Sequence, residues 1–118
     1  MLSPGRRGEA RAARYLKGLG YRIIMRNYRA PSGEVDIIAM DGDTLVFVEV
    51  KARKGDSFGS PMEAVDQRKQ KKITDAALFY LSSLREQPPA RFDVVGVLLR
   101  GWRAELEHIK DAFGLGGG

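Results

Sequence analysis

Apolar residues recur along this chain with two different periods, and the changes of period divide it into elements. Between Pro4 and about Leu19, the residues Ala12, Ala13, Leu16 and Leu19 return at helical spacing and form one stripe for burial. Ser3-Pro4 supplies a cap and a first-turn proline, and Gly20 a stop. Tyr21 to Met25 or Tyr28 reads as a first strand, and Ala30-Pro31-Ser32-Gly33 as a turn. Two runs rich in β-branched and apolar residues follow, Glu34–Met40 and Thr44–Lys51, with Asp41-Gly42-Asp43 between them, which predicts a β-hairpin. Their nearly continuous apolar character calls for cover on both faces. Ala52 to Pro61 reads as a polar loop. Met62 to about Arg85 is the strongest helical pattern, with Met62, Val65, Ile73, Ala76, Ala77, Tyr80 and Leu84 on one stripe, and Pro88-Pro89 ends it. Arg91 to Leu99 reads as a buried strand and Gly101 as a turn. From Trp102 to Ile109, the positions Trp102, Ala104, Leu106 and His108 alternate with Arg103, Glu105 and Glu107, which predicts a half-exposed edge strand.

The order helix, three strands, helix, two strands predicts an α/β fold with a mixed central sheet flanked by helices. Its strand–helix–strand unit should form a right-handed parallel crossover. Residues 1–113 read as one domain, large enough for a core without staples, and 114–118 as a frayed, Gly-rich tail.

Three charged residues interrupt the oily hairpin: Asp36, Glu49 and Lys51. Side chains alternate along a strand, so Glu49 and Lys51 share a face. A Gly42-Asp43 loop sets Asp36 opposite Glu49; an Asp41-Gly42 loop sets it opposite Phe47, still on that face. Only a one-residue slip or a bulge separates the carboxylates from one another. Like charges so placed repel, and buried carboxylates need a partner or a proton. A divalent cation removes the conflict, since Mg²⁺ is typically held by one or two carboxylates plus waters and phosphate oxygens. A nearby lysine suits the orientation or deprotonation of a water, the chemistry of phosphodiester cleavage. The plainer alternative is a surface hairpin carrying a Glu–Lys pair.

Asp36, followed after a turn by Glu49-Val50-Lys51, resembles the D…(D/E)-x-K signature of the PD-(D/E)XK nuclease superfamily. Gly33-Glu34-Val35-Asp36 together with Phe47-Val48-Glu49-Val50-Lys51-Ala52-Arg53 is similar, more specifically, to the YraN-like family of uncharacterised bacterial proteins, from about Gly8 to Val97. Val35 stands where the superfamily's proline would be, a position at which proline is often absent. The resemblance implies a restriction-endonuclease-like core like that of archaeal Holliday-junction resolvases. It also implies Asp36, Glu49 and the Val50 carbonyl as ligands of Mg²⁺ or Mn²⁺, Lys51 as a catalytic residue, and DNA, favourably branched DNA, as substrate. A glutamate on the first helix acts as a further acid in related resolvases, and Glu9 falls within the first helix's buried stripe. Complementing the helix dipole is the other reading of Glu9.

The second helix carries the cluster Arg68-Lys69-Gln70-Lys71-Lys72. On a helical wheel Arg68, Gln70 and Lys71 point outward, Lys69 falls within the apolar stripe and Lys72 at its edge. Lys69 either snorkels over the core or reaches over the sheet toward the carboxylates or a phosphate, as a further catalytic candidate. Arg53, Lys54, Arg68, Lys69 and Lys72 are the candidate nucleic-acid contacts. The sole histidine, His108, has no evident acid–serine partnership, no Ser-His-Asp or Cys-His constellation can be assembled, and it reads as structural or exposed.

A net charge of +5 and a pI near 9.7 favour a polyanionic partner. The absence of cysteine excludes disulfides and thiolate metal sites. No apolar run approaches a membrane span and no leader is evident, so a cytoplasmic protein without membrane contact is expected. The functional expectation is a metal-dependent DNA endonuclease, with a homodimer as the arrangement for cutting two symmetric strands. Its rivals are a non-catalytic nucleic-acid-binding module on the same fold, and a protein-binding module using the Trp102 edge strand.

Overall fold

The computed structural model describes residues 4–55 and 59–114. The proposed Ser3 cap and nearly all of the Gly-rich tail therefore lie outside the described residues. Helix α1 (Pro4–Gly18) is followed by strands β1 (Arg22–Ala30), β2 (Gly33–Asp41) and β3 (Thr44–Lys54). A short 3₁₀ helix (Pro61–Ala64), helix α2 (Gln67–Leu81), β4 (Ala90–Arg100) and β5 (Arg103–Phe113) complete the chain. One five-stranded sheet runs in the order β1-β2-β3-β4-β5. All pairs are antiparallel except β3 with β4, which α2 joins as parallel neighbours. The mixed sheet and element order are those the apolar pattern predicts.

Alternation along the strands sorts the core onto two faces. On one, Ala12, Ala13 and Leu16 of α1 cover Ile37, Ala39, Val46, Val48, Val95 and Val97. On the other, Ile73, Ala76, Ala77 and Leu81 of α2 cover Val35, Ile38, Leu45, Phe47, Phe92 and Val94. Each large apolar side chain so buried contributes about 1.5–3 kcal/mol. Close approaches require glycine. A Cβ on Gly8 of α1 would lie 2.5 Å from the Ala52 Cβ, and one on Gly33 of β2 only 2.8 Å from the Lys72 carbonyl oxygen of α2. Leu19, placed in the buried stripe by its spacing, is instead 50% exposed, because α1 ends before it and the chain turns at Gly20 (φ 96°).

Three boundaries differ from the expected ones. β3 continues through Ala52, Arg53 and Lys54, residues expected in a loop, because the parallel ladder runs on to Lys54 opposite Leu99. The single helix expected from Met62 to Arg85 is two. Ser60 caps the 3₁₀ turn, Val65 leaves helical backbone (φ −115°, ψ 76°), and the Asp66 carboxylate accepts from Lys69 N (2.9 Å) to start α2. The final strand runs on to Phe113, and Trp102 sits in the turn before it, 79% exposed.

His108 takes the structural of its two expected roles, with an acid partner supplied by the neighbouring strand. Its Nε2 lies 2.7 Å from Oδ2 of fully buried Asp93, and the Tyr15 hydroxyl is 3.1 Å from its Nδ1. Arg91 donates to both Asp93 and Asp41 and to the Tyr21 hydroxyl, while Asp111 N donates to Asp93 at the β4–β5 irregularity. These partners hold the Asp93 carboxyl below the usual carboxylate range despite burial. This network ties β2, β4, β5 and α1 together near the β2–β3 turn.

Candidate active site

The two-residue turn at Gly42-Asp43, with Gly42 at φ 59°, fixes the hairpin register: Asp41 pairs with Thr44 and so on to Ile37 with Val48. One step further, Asp36 stands opposite Glu49. There the regular ladder stops, and the Asp36 carboxylate takes the place of a backbone acceptor by receiving the Val50 N–H at 2.8 Å. The strands thus part where the two carboxyls meet, opening a cleft of about 450 Å³. Gly33, Asp36, Glu49, Val50, Lys51 and Lys69 are among its lining residues, with Lys72 and Ile73 on the α2 side. Gly33 sets its width by letting α2 approach β2 so closely.

Burial, a hydrogen bond to Asp36 and the Asp36 charge push the Glu49 carboxyl up to about 9, against the opposing pull of Lys69. Without another cation, the Asp36–Glu49 pair therefore favours holding a proton. Lys69 Nζ lies 3.8 Å from Glu49 Oε2, so of the two alternatives for this lysine, the structure has it reaching over the sheet. Lys51 lines the same cleft, two residues along β3 from Glu49. Glu9 is half-buried and forms an ion pair with Arg26 (3.8 Å). Its carboxyl is raised by burial first and then by the Asp36 charge, against Arg26 and a hydrogen bond from Asn27, so α1 does bring Glu9 within electrostatic range of the site. Among the described residues no group of three His, Cys, Asp or Glu side chains is arranged to hold a metal ion.

The remaining basic candidates separate. Lys72 lines the cleft beside Lys69. Arg68 is exposed on the first turn of α2 and is not among the residues lining the cleft. Arg53 donates to the carbonyls of Gly59 and Ser60 (3.3 and 3.5 Å), bracing the segment that leads to the 3₁₀ helix. Lys54, at the end of β3, lines a different cavity with Arg7 and Arg100.

Fold and site together define a class: an α/β protein whose mixed sheet carries an acidic pair and a lysine at the open end of its central hairpin. The chain belongs to a family described as "Uncharacterised protein family UPF0102", whose pattern matches residues 8–97, in agreement with the YraN-like resemblance. Proteins named "UPF0102 protein" from Syntrophus aciditrophicus and Geotalea uraniireducens are each 52% identical over 115 residues. These alignments cover 97% and 96% of this chain and 91% of each relative. One from Chlorobium chlorochromatii is 49% identical over 115 residues, covering 92% of this chain and 89% of the relative. No helix among the described residues is long and apolar enough to cross a membrane.

Proposed function

We propose that this protein is a divalent-metal-dependent endonuclease acting on DNA, branched or recombination-intermediate DNA being the favoured form. The observation that carries the reading is the juxtaposition of Asp36 and Glu49 in a cleft that also holds Lys51, Lys69 and Lys72. A buried carboxyl beside a carboxylate is costly in a structural role, whereas both are useful as ligands of a hard cation. The donor set fits Mg²⁺ or Mn²⁺: two carboxylates, with the Val50 carbonyl as a further oxygen, leaves room for water and a phosphate oxygen, the usual Mg²⁺ arrangement. Asp36 and Glu49 would hold the ion, which when bound supplies Lewis-acid polarisation of the phosphate.

Lys51 would orient the attacking water by donating a hydrogen bond to its oxygen, or as the neutral amine take up its proton. Lys69, which lies 3.8 Å from Glu49, would engage a phosphate oxygen, with Lys72 beside it as a second electrostatic contact. Glu9 would tune the pair through its charge, and Arg53, Lys54 and Arg68 would contribute peripheral phosphate contacts. Two such sites in a homodimer would serve to cut two symmetric strands. The cytoplasm is the compartment in which a bacterial protein meets this substrate.

The test is cleavage of linear, flapped and four-way DNA in Mn²⁺ by wild type, Asp36→Ala and Lys51→Ala. The reading expects cleavage by wild type, and a loss of about 100-fold or more in Lys51→Ala with DNA binding retained. Salt-sensitive binding with no cleavage of any substrate, unaffected by Asp36→Ala, would instead establish a non-catalytic nucleic-acid-binding module.

A further inference from the structure

Beside the carboxylate cleft, on the same α2-facing side of the sheet, lies a second cavity of about 230 Å³. Lys51 belongs to both. From Lys51 the second cavity crosses β4 and β5. Arg53, Pro61, Leu98, Glu105 and Glu107 are among its lining residues, and Gly96 forms part of its floor. Gly96 pairs with Lys51 and with Glu107, and Leu98 with Arg53 and with Glu105, so the cavity follows two consecutive cross-strand rows of the sheet. Gly96 is required here because a Cβ would run into the Pro61 ring.

Three properties define what fits. Its size is below the roughly 300–1,000 Å³ of pockets for drug-sized ligands, which suits one heterocycle and not a base pair. Its walls are mixed, with the Pro61 ring and the Leu98 side chain offering apolar surface for a flat ring. Its charge is divided: Lys51 and Arg53 lie on β3, toward the cleft, and Glu105 and Glu107 on β5, away from it. Two carboxylates at the far side repel a phosphate but accept hydrogen bonds from a base's amino edge. Neighbouring strands are about 4.8 Å apart, so from β3 to β5 is roughly 10 Å, a reach that suits one nucleotide.

We propose that this cavity is a nucleobase pocket that takes one unpaired base flanking the phosphate held in the cleft. The inference rests on the nuclease reading for the position of that phosphate, and it gives the substrate class: DNA with an unpaired nucleotide beside the cut. In a continuous duplex the base must first leave its stack, an energetic cost that single strands, flaps and junction centres largely avoid.

Binding separates this claim from catalysis. The probes are a short fluorescein-labelled single strand and the same strand annealed to its complement, followed by fluorescence anisotropy in EDTA, where no cutting occurs. Wild type should bind the single strand about ten-fold more tightly than the duplex. Leu98→Ala, which removes an apolar wall, should reduce that preference to within about two-fold. Glu107→Lys, at an exposed strand position with little effect on folding, should do the same by attracting phosphate in place of a base. Equal affinity of wild type for the two probes would overturn the proposal, as would a preference that survives in both pocket variants. A preference that behaves as expected in a protein that cuts nothing in Mn²⁺ would sink the nuclease reading and leave the base pocket standing.

Discussion

Glu49 concentrates the tension in this molecule. It is a carboxyl with 13% of its side chain exposed, set against Asp36, and raised to about 9. In an unfolded chain it would titrate near 4.5. The folded state therefore holds the proton more tightly, and the stability this provides is complete below about pH 4.5 and gone once pH passes about 9. Glu49→Gln, which stays neutral, should flatten that dependence and melt higher than wild type at pH 8–9 in the absence of metal. Thermal unfolding from pH 5 to 9 checks this. The opposite case is Asp93, whose lowered pKa means stability present above the ordinary carboxylate range and lost in acid as pH falls through its folded value. Asp93→Ala should cost about 3–5 kcal/mol in denaturant unfolding, because it leaves the Arg91 guanidinium and His108 without their buried partner.

At the scale of elements, the site depends on where α2 begins and how near it lies. Asp66 caps α2 at Lys69 N, so Asp66→Ala should cost about 0.5–2 kcal/mol and loosen the lysine that faces Glu49. Gly33→Ala drives a methyl toward the Lys72 carbonyl and should cost about 1–3 kcal/mol, reported by a lower urea midpoint. The shared face of Asp36 and Glu49 was legible from sequence because side chains alternate along a strand and either register open to the Asp41-Gly42-Asp43 turn keeps it; the choice of the Gly42-Asp43 register was not. The break between the 3₁₀ helix and α2 was not, since Met62 and Val65 continue the helical spacing and the stop is set by the Val65 backbone. Nor could spacing reveal the His108–Asp93 pair. The two residues sit on adjacent strands, where His108 faces Val95 and reaches Asp93 two residues along β4, a pairing that spacing within one strand does not show. The direction of Lys69 was undecided by the wheel, because stripe and cleft lie on the same side of α2.

Across the whole molecule, charge is distributed for use: a net +5 overall, yet an acidic centre with lysines on its rim. Binding to a DNA strand should weaken log-linearly with salt. Lys69→Ala and Lys72→Ala should each reduce that slope by about 1, and Arg68→Ala, outside the cleft, by less. The central claim is that the carboxylate pair holds a divalent cation. It is tested most directly by calorimetric titration of Mn²⁺ into the metal-free protein at pH 7, in two buffers of different ionisation enthalpy, for wild type and for Asp36→Ala with Glu49→Ala. The account predicts binding by wild type with release of about one proton, because Glu49 must give up its hydrogen to become a ligand, and none by the double variant. Mn²⁺ binding that is equally strong in the double variant would contradict it.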